Sequence, residues 1–362
     1  MMQYDQTLLF ILATTAILGI NAGMIGTFLV LSKKSLFGDT MAHATLPGLT
    51  AIFFFTLNKN PILLLLCAAI SSLVAAIIIN YLENRTTLKK DTILGIILAT
   101  SFGLGTVFLS KIQTIPDAHQ AGLTKYLLGN ASTLLYQDLT LITCITFISI
   151  IFIFTFYRQY KVMLFDSEFA KTNGIAAHII AIIMLILTTL TIVIGLQTIG
   201  VILISALLIA PANAARQWSQ KFETVIILAA FFGMAATTVG TLISSSIMHV
   251  PTGPTIVITA TMITFFSILF APQGIVIAWW KKQRQMQLLS EKTMMHNFLL
   301  FNEGLQNPFH AHDLKALEAL GKKSSNKIMQ RLAEKGFIFS PKKNFWQLTA
   351  KGLEFLKDKH IQ

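Results

Sequence analysis

The sequence predicts an all-α polytopic membrane protein with about nine transmembrane helices, followed by a small α+β cytoplasmic domain. Three observations predict it. Apolar residues fill 54% of the 362 positions and charged residues only 12%, whereas soluble domains carry about 25% charged residues. The apolar residues fall in runs near the ~20 residues that a helix needs to cross a bilayer. The remaining charge is uneven: residues 1–280 hold 13 Lys/Arg and 9 Asp/Glu, and residues 281–362 hold 15 and 7.

In chain order, Leu8–Leu31, Pro61–Tyr81, Thr92–Ser110, Leu139–Tyr157, Ile179–Leu196, Gln197–Ala215, Thr224–Met248 and Thr255–Trp280 contain no Asp, Glu, Lys, Arg or His. Thr40–Leu57 is charge-free except for His43 and makes the ninth span. The first run has no basic n-region and exceeds the ~7–15 apolar residues of a signal peptide, so it reads as a retained span. Around 111–133 the reading is open: "YLLGNASTLL" (126–135) reads equally as a re-entrant or interfacial helix, which leaves the count open by one. Cys67 and Cys144 both fall inside spans, so neither a disulfide framework nor a thiolate metal site is indicated.

Basic residues near span ends favour the cytoplasm. One set of alternate loops carries Lys33 and Lys34; Arg85, Lys89 and Lys90; Arg158, Lys161 and Lys171; Arg216 and Lys221; and Lys281, Lys282 and Arg284. The other set carries only Lys59, Lys111 and Lys125. This asymmetry places the N-terminus outside and the C-terminal domain in the cytoplasm.

Asp39 and His43 stand four residues apart at the start of an apolar run, so a helix presents both on one face. An ionisable residue inside a span is costly and reads as functional by default. Carboxylate oxygen and imidazole nitrogen together suit zinc, manganese or ferrous iron. Pro47 and Gly48 follow and are expected to break or kink the helix, freeing carbonyls. The spacing alone equally allows Asp39 to be a helix cap and His43 a satisfied bundle histidine.

"SLFGDTMAHATLPGL" resembles the signature of the metal-ion permeases of ATP-binding-cassette transporters. "KYLLGNASTLLYQDL" (125–139), "LQTIGVILISALLIAPANAAR" (196–216) and "HVPTGPTIVITATMITFFSILFAP" (249–272) resemble that family in the same order. The likeness covers roughly residues 5–280. It implies a bacterial inner-membrane permease that imports zinc, manganese or iron, with Asp39 and His43 contacting the ion. It implies a separate ABC ATPase, an extracytoplasmic solute-binding protein and a permease homodimer or heterodimer as partners, besides membrane lipid. It implies no permanently bound cofactor, only the transported divalent ion.

Within "DSEFAKTNG" (166–174), Glu168, Ala170 and Gly174 resemble the E-x-A-x-x-x-G pattern of the short helix that couples importer permeases to their ATPase. A small residue allows close approach, and Gly174 ends such a helix at positive φ. The other reading is an ordinary surface loop helix. Asp138, His178 and His249 lie near span ends and read as interfacial. No G-x-x-x-x-G-K-[ST], G-x-S-x-G or H-E-x-x-H occurs, so the chain is expected neither to hydrolyse ATP nor to act as an enzyme.

The domain boundaries read as 1–280 for the membrane domain, 281–293 for a linker and 294–362 for the tail. "HAHDLKALEAL" reads as a helix, "NKIMQRLAEKG" as a second helix capped by Gly336, "FIFSPKKNFWQL" as a hairpin with Pro341–Asn344 at its tip, and "TAKGLEFLKDK" as a Thr-capped helix. The core is drawn from Leu314, Leu317, Leu320, Ile328, Leu332, Phe337, Phe339, Trp346, Leu348, Leu353 and Leu356. This order resembles the winged helix-turn-helix of metal-dependent repressors. Lys327, Arg331, Lys342 and Lys343 would then be the nucleic-acid contacts, with DNA as a candidate partner. His310, His312 and Asp313 read as a solvated cap rather than a metal site. The reading is a metal-ion permease subunit. The alternatives are a membrane-tethered regulator that senses metal, or a siderophore, haem or cobalamin permease.

Overall fold

The computed structural model describes residues 2–57, 60–114, 129, 134, 136–174, 176–247, 250–302, 311–313, 325–342 and 345–359. Its contacts divide into two units, Met1–Gly274 and Ile275–Gln362. The first unit is helical among the described residues: α1 (Met2–Leu31), α2 (Ser35–Thr56), α3 (Pro61–Arg85), α4 (Lys90–Gln113), α5 (Tyr136–Phe165), α6 (Ser167–Thr172), α7 (Ala177–Thr198), α8 (Val201–Trp218), α9 (Phe222–Ser246) and α10 (Thr252–Phe270).

Lipid offers helices no hydrophobic reason to associate, so close packing of small residues does that work. Gly19 and Gly23 lie one turn apart on α1 and face Gly233 and Ala229 of α9. A Cβ on Gly19 would sit 2.4 Å from the Gly233 carbonyl oxygen, and one on Gly233 2.1 Å from that of Gly19. Buried threonines mostly donate back to their own helix, as Thr14 does to the Phe10 carbonyl at 2.7 Å. Asn21 Nδ2 reaches across to Thr191 Oγ1 of α7 at 3.0 Å.

Of the break or kink expected at Pro47, the break does not occur, since α2 continues from Ser35 to Thr56. The neighbouring helix bonds carbonyls in the turns just before Pro47. Ser71 Oγ of α3 donates to the Ala44 carbonyl at 2.7 Å, and Ser72 Oγ to that of Met41 at 3.2 Å. Hydroxyls from an adjacent helix are a usual means of tolerating Pro at membrane depth.

Among the described residues, seven helices are long and apolar enough to cross a membrane, against about nine expected. The stretches are Gln6–Leu31, Pro61–Glu83, Lys90–Gln113, Tyr136–Leu164, Ile179–Thr198, Phe222–Ser246 and Thr252–Met286, the last counted through the turn after Phe270. The two expected spans that fall short lie in α2 and α8. Both carry several polar groups and pack within the bundle, so neither needs a wholly apolar surface. The expected span Thr255–Trp280 also contains a break in the helix. Ala271 is extended (φ −66°, ψ 161°), because Pro272 follows it and Pro disfavours helix in the residue before it. α10 therefore ends at Phe270.

The second unit holds α11 (Ile275–Asn302), β1 (His312–Asp313), α12 (Ser325–Glu334), β2 (Ile338–Lys342), β3 (Phe345–Leu348) and α13 (Ala350–Lys359), with its strands in the order β1-β3-β2, all antiparallel. Residues 281–293, expected as a linker, are helical within α11. His312 and Asp313, expected in a helix, pair with Trp346 and Phe345 of β3. The hairpin, the Gly336 turn (φ +75°) and the Thr349 cap lie where the sequence puts them: Phe337 N bonds the Leu332 carbonyl at 3.0 Å, and Thr349 Oγ1 accepts from Gly352 N at 3.1 Å. The core joins Met329, Leu332, Ile338 and Leu348 to Met294, Met295 and Phe298 of α11. Phe339, expected inside, is exposed. Leu314, Leu317, Leu320, His310 and the hairpin tip at Lys343 and Asn344 lie outside the described residues.

Candidate functional site

Lys34 occupies the N-cap position of α2 and makes no side-chain cap bond, which places Asp39 one turn inside the helix. The capping role that the spacing allowed is therefore excluded. One further turn brings His43 alongside, with Nε2 3.6 Å from Asp39 Oδ1. That separation is a close contact, too long for a hydrogen bond. Asp39 Oδ1 accepts from Ser205 Oγ of α8 at 3.2 Å. The His43 ring meets Phe102 of α4 edge-on, at 5.2 Å between centroids. Its Nδ1 is buried with no hydrogen-bond partner among the described residues. A buried polar atom normally finds a partner, and none of the described residues supplies one.

A cavity of about 750 Å³ reaches Asp39. Ser205, Asn213 and Arg216 of α8 line it, with Thr261 and Thr264 of α10. Positions 205, 213 and 216 share one helical face, and that polar stripe in an otherwise apolar run was the signal for Ser205 that spacing arguments on α2 missed. Pro47 has no N–H to offer the carbonyl four residues back, which is that of His43. Among the described residues no three His, Cys, Asp or Glu side chains lie together. The pair thus provides two donors, one oxygen and one nitrogen, not a closed coordination shell.

The 166–174 stretch forms α6, a helix of six residues. Asp166 starts it by accepting from Phe169 N at 2.9 Å, and Gly174 follows at φ +71°. Ala170 is fully buried within the chain, while Phe169 is 54% exposed. The small residue therefore seats this helix on its own protein, and the aromatic one faces outward. Glu168 lies on α6. Among the tail candidates, Arg331 lies exposed on α12 and Lys342 exposed at the end of β2. Lys327 lies on α12, and Lys343 is outside the described residues. Asp138 sits in the first turn of α5 and His178 in that of α7; His249 is not described.

A family model, the ABC 3 transport family, matches residues 4–271, ending at the break that closes α10. The chain belongs to the ABC 3 transport family. It is similar to the zinc transport system membrane protein TroC of Treponema pallidum, with 37% identity over 289 residues, covering 80% of this chain and 97% of that protein. It is similar to the manganese transport system membrane protein MntC of Bacillus subtilis, with 33% identity over 352 residues, covering 95% of this chain and 80% of the relative. A match over 95% of the chain necessarily runs past Trp280, so this relative aligns with part of the tail as well. Among solved structures, PsaBC from Streptococcus pneumoniae in complex with Fab aligns at a TM-score of 0.64 and 30% identity, covering 74% of this chain and 93% of that one.

Proposed function

We propose that this chain is the permease subunit of an ATP-driven importer of a divalent metal ion, and that Asp39 and His43 contact the ion in transit. The observation that carries the reading is the pair itself. A carboxylate and an imidazole 3.6 Å apart can share one ion. With bonds near 2.1 Å to each, the angle at the ion is roughly 120°, open enough for further ligands. Two protein donors without a closed shell suit a cargo that must leave again. Water, or a second permease copy, supplies the rest. Relatives named for zinc and for manganese support this cargo class, and one Asp with one His does not select among zinc, manganese and iron, because availability outweighs affinity in the cell.

The mechanism follows from this arrangement. A solute-binding protein delivers the ion at the outer face of a bacterial inner membrane. Two permease subunits, identical or not, form the pathway through about nine spans each, counting α2 and α8 as spans that face protein rather than lipid. The N-terminus lies outside and the tail in the cytoplasm, as the basic loops direct. ATP binding and hydrolysis in separate subunits act through α6, with Phe169 facing the ATPase, Glu168 in the docking segment and Gly174 setting the turn. The membrane domain covers 1–280. The tail, read as a winged helix-turn-helix from its capped helix, hairpin and closing helix, is a contact module of the transporter. Binding of operator DNA through Lys327, Arg331, Lys342 and Lys343 is the competing role. The deciding experiment is to delete the chain from its cell and measure which metal restores growth and accumulates on re-expression. Metal accumulation that is identical with and without the chain would end the proposal.

A further inference from the structure

A second cavity, of about 610 Å³, lies between α1, α2, α3, α5 and α7, away from the lining of the Asp39 cavity. Its volume is that of a small-molecule site, about 300–1,000 Å³. Its chemistry is graded along the helices. Ser32, Lys34, Asn80, Glu83, Lys90 and Tyr160 cluster where α1 ends, α3 ends and α4 begins. The rest of the lining is almost wholly apolar, with Leu73, Ala76 and Ile77 on α3 facing Ile182, Leu185 and Ile186 on α7. Ile77, Ile182 and Ile186 are also exposed on the outer surface of the bundle, so the apolar part opens sideways between α3 and α7. A polar mouth at one end, an apolar slot and a lateral opening together match an amphiphile that enters from the bilayer.

We infer that this cavity binds one anionic phospholipid, its phosphate at Lys34 and Lys90 and an acyl chain in the slot between α3 and α7. The polar groups at the mouth differ in what they can still accept. Ser32 Oγ and Tyr160 OH are 2.7 Å apart and satisfy each other. Lys34 Nζ reaches Glu83 Oε2 at 3.3 Å, which occupies one carboxylate oxygen and leaves donors on the ammonium. Glu83 Oε1 is buried and has no hydrogen-bond partner among the described residues. A phosphate would take the lysine donors, and a headgroup hydroxyl would donate to Glu83 Oε1. Lipid phosphates with a hydroxyl-bearing headgroup, the phosphatidylglycerol class, satisfy both demands. Basic pockets between spans on the cytoplasmic side are known stations for anionic headgroups. The inference does not depend on the transport reading, since none of these groups belongs to the Asp39–His43 pair.

The test uses the full-length protein, purified and washed in detergent, then titrated with phosphatidylglycerol or phosphatidylcholine of the same acyl chains and weighed intact by native mass spectrometry. One phosphatidylglycerol per chain should persist at lipid concentrations where phosphatidylcholine has been washed away. Lys90→Gln, an exposed position that should leave folding untouched, should weaken that retention about five-fold, the effect of one lysine near an anionic surface. Lys34→Gln with Glu83→Gln removes both charges together, leaves no buried ion unpaired, and should weaken it further. Ile182→Trp, which fills the slot from an exposed position, should lose both lipids, while Ile258→Trp on the exposed face of α10 should lose neither. Equal retention of the two lipids would overturn the headgroup assignment. Retention unchanged in Ile182→Trp and in Lys90→Gln alike would overturn the site.

Discussion

Asp39 carries two contacts that pull in one direction: Ser205 Oγ donates to it from α8, and His43 lies beside it one turn along α2. Neutralising the carboxylate keeps its shape and removes its hold on a cation. We therefore expect Asp39→Asn and His43→Ala to insert and assemble normally and to bring radiometal uptake in reconstituted vesicles to background. Wild-type uptake in both variants would return the pair to a role in bundle packing. Ser205 is bonded to Asp39 from a separate helix, so it positions the carboxylate. Ser205→Ala should raise the half-saturating metal concentration by about ten-fold, the usual effect of losing a partner of a metal ligand, with the maximal rate little changed. A fall in maximal rate at unchanged half-saturation would assign Ser205 to the pathway itself.

Helix pairs and the short α6 make separate demands. α1 and α9 approach through Gly19 and Gly233, where an added Cβ would meet backbone at 2.4 Å or less. Gly19→Val should destabilise by about 1–3 kcal/mol, as overpacking does, and lower the melting temperature in detergent. Gly95→Ala on α4, where nothing lies within 4 Å of the added atom, should be neutral or stabilising by up to about 1 kcal/mol. Equal losses in the two variants would mean that the α1–α9 contact does not limit stability. At Gly174 the added atom meets nothing, but φ is +71°; a side chain in that region costs about 1–2 kcal/mol and is worse when β-branched. Gly174→Val and Glu168→Lys should both leave the permease folded and reduce transport-coupled ATP hydrolysis. Normal import and hydrolysis in both would move the docking surface elsewhere.

For the molecule as a whole, the second unit is closed by α11, since Met294, Met295 and Phe298 sit in its core. A fragment starting at Ile275 should fold and melt cooperatively. A fragment starting at Glu303 should not, having lost three core side chains, each worth about 1.5–3 kcal/mol on burial. Cooperative melting of the shorter fragment would show that α11 is dispensable. The net charge of this segment makes non-specific DNA affinity at low salt uninformative. Real operators are preferred over random DNA by ~10³ or more. For the isolated Ile275 fragment we expect a preference below ~10 at physiological salt, because one unpaired copy cannot span two half-sites. A preference near ~10³ that vanishes in Lys327→Ala/Arg331→Ala would establish a transporter with a regulator attached.

Hydropathy, the 3.6-residue period and local backbone chemistry act over a few residues. They suffice for the membrane class, the helix-bearing segments, the Asp39–His43 alignment, and the caps at Gly336 and Thr349. Other features depend on what a distant segment supplies. Around Pro47 the Ala44 and Met41 carbonyls of α2 take bonds from Ser71 and Ser72 of another helix. Ser205 answers Asp39 across 166 positions of sequence, and only the packing of α6 turns Ala170 inward and Phe169 outward. The span count diverged for the same reason. A helix that faces protein can carry polar residues at membrane depth, and hydropathy along a single segment does not register what a neighbouring helix provides.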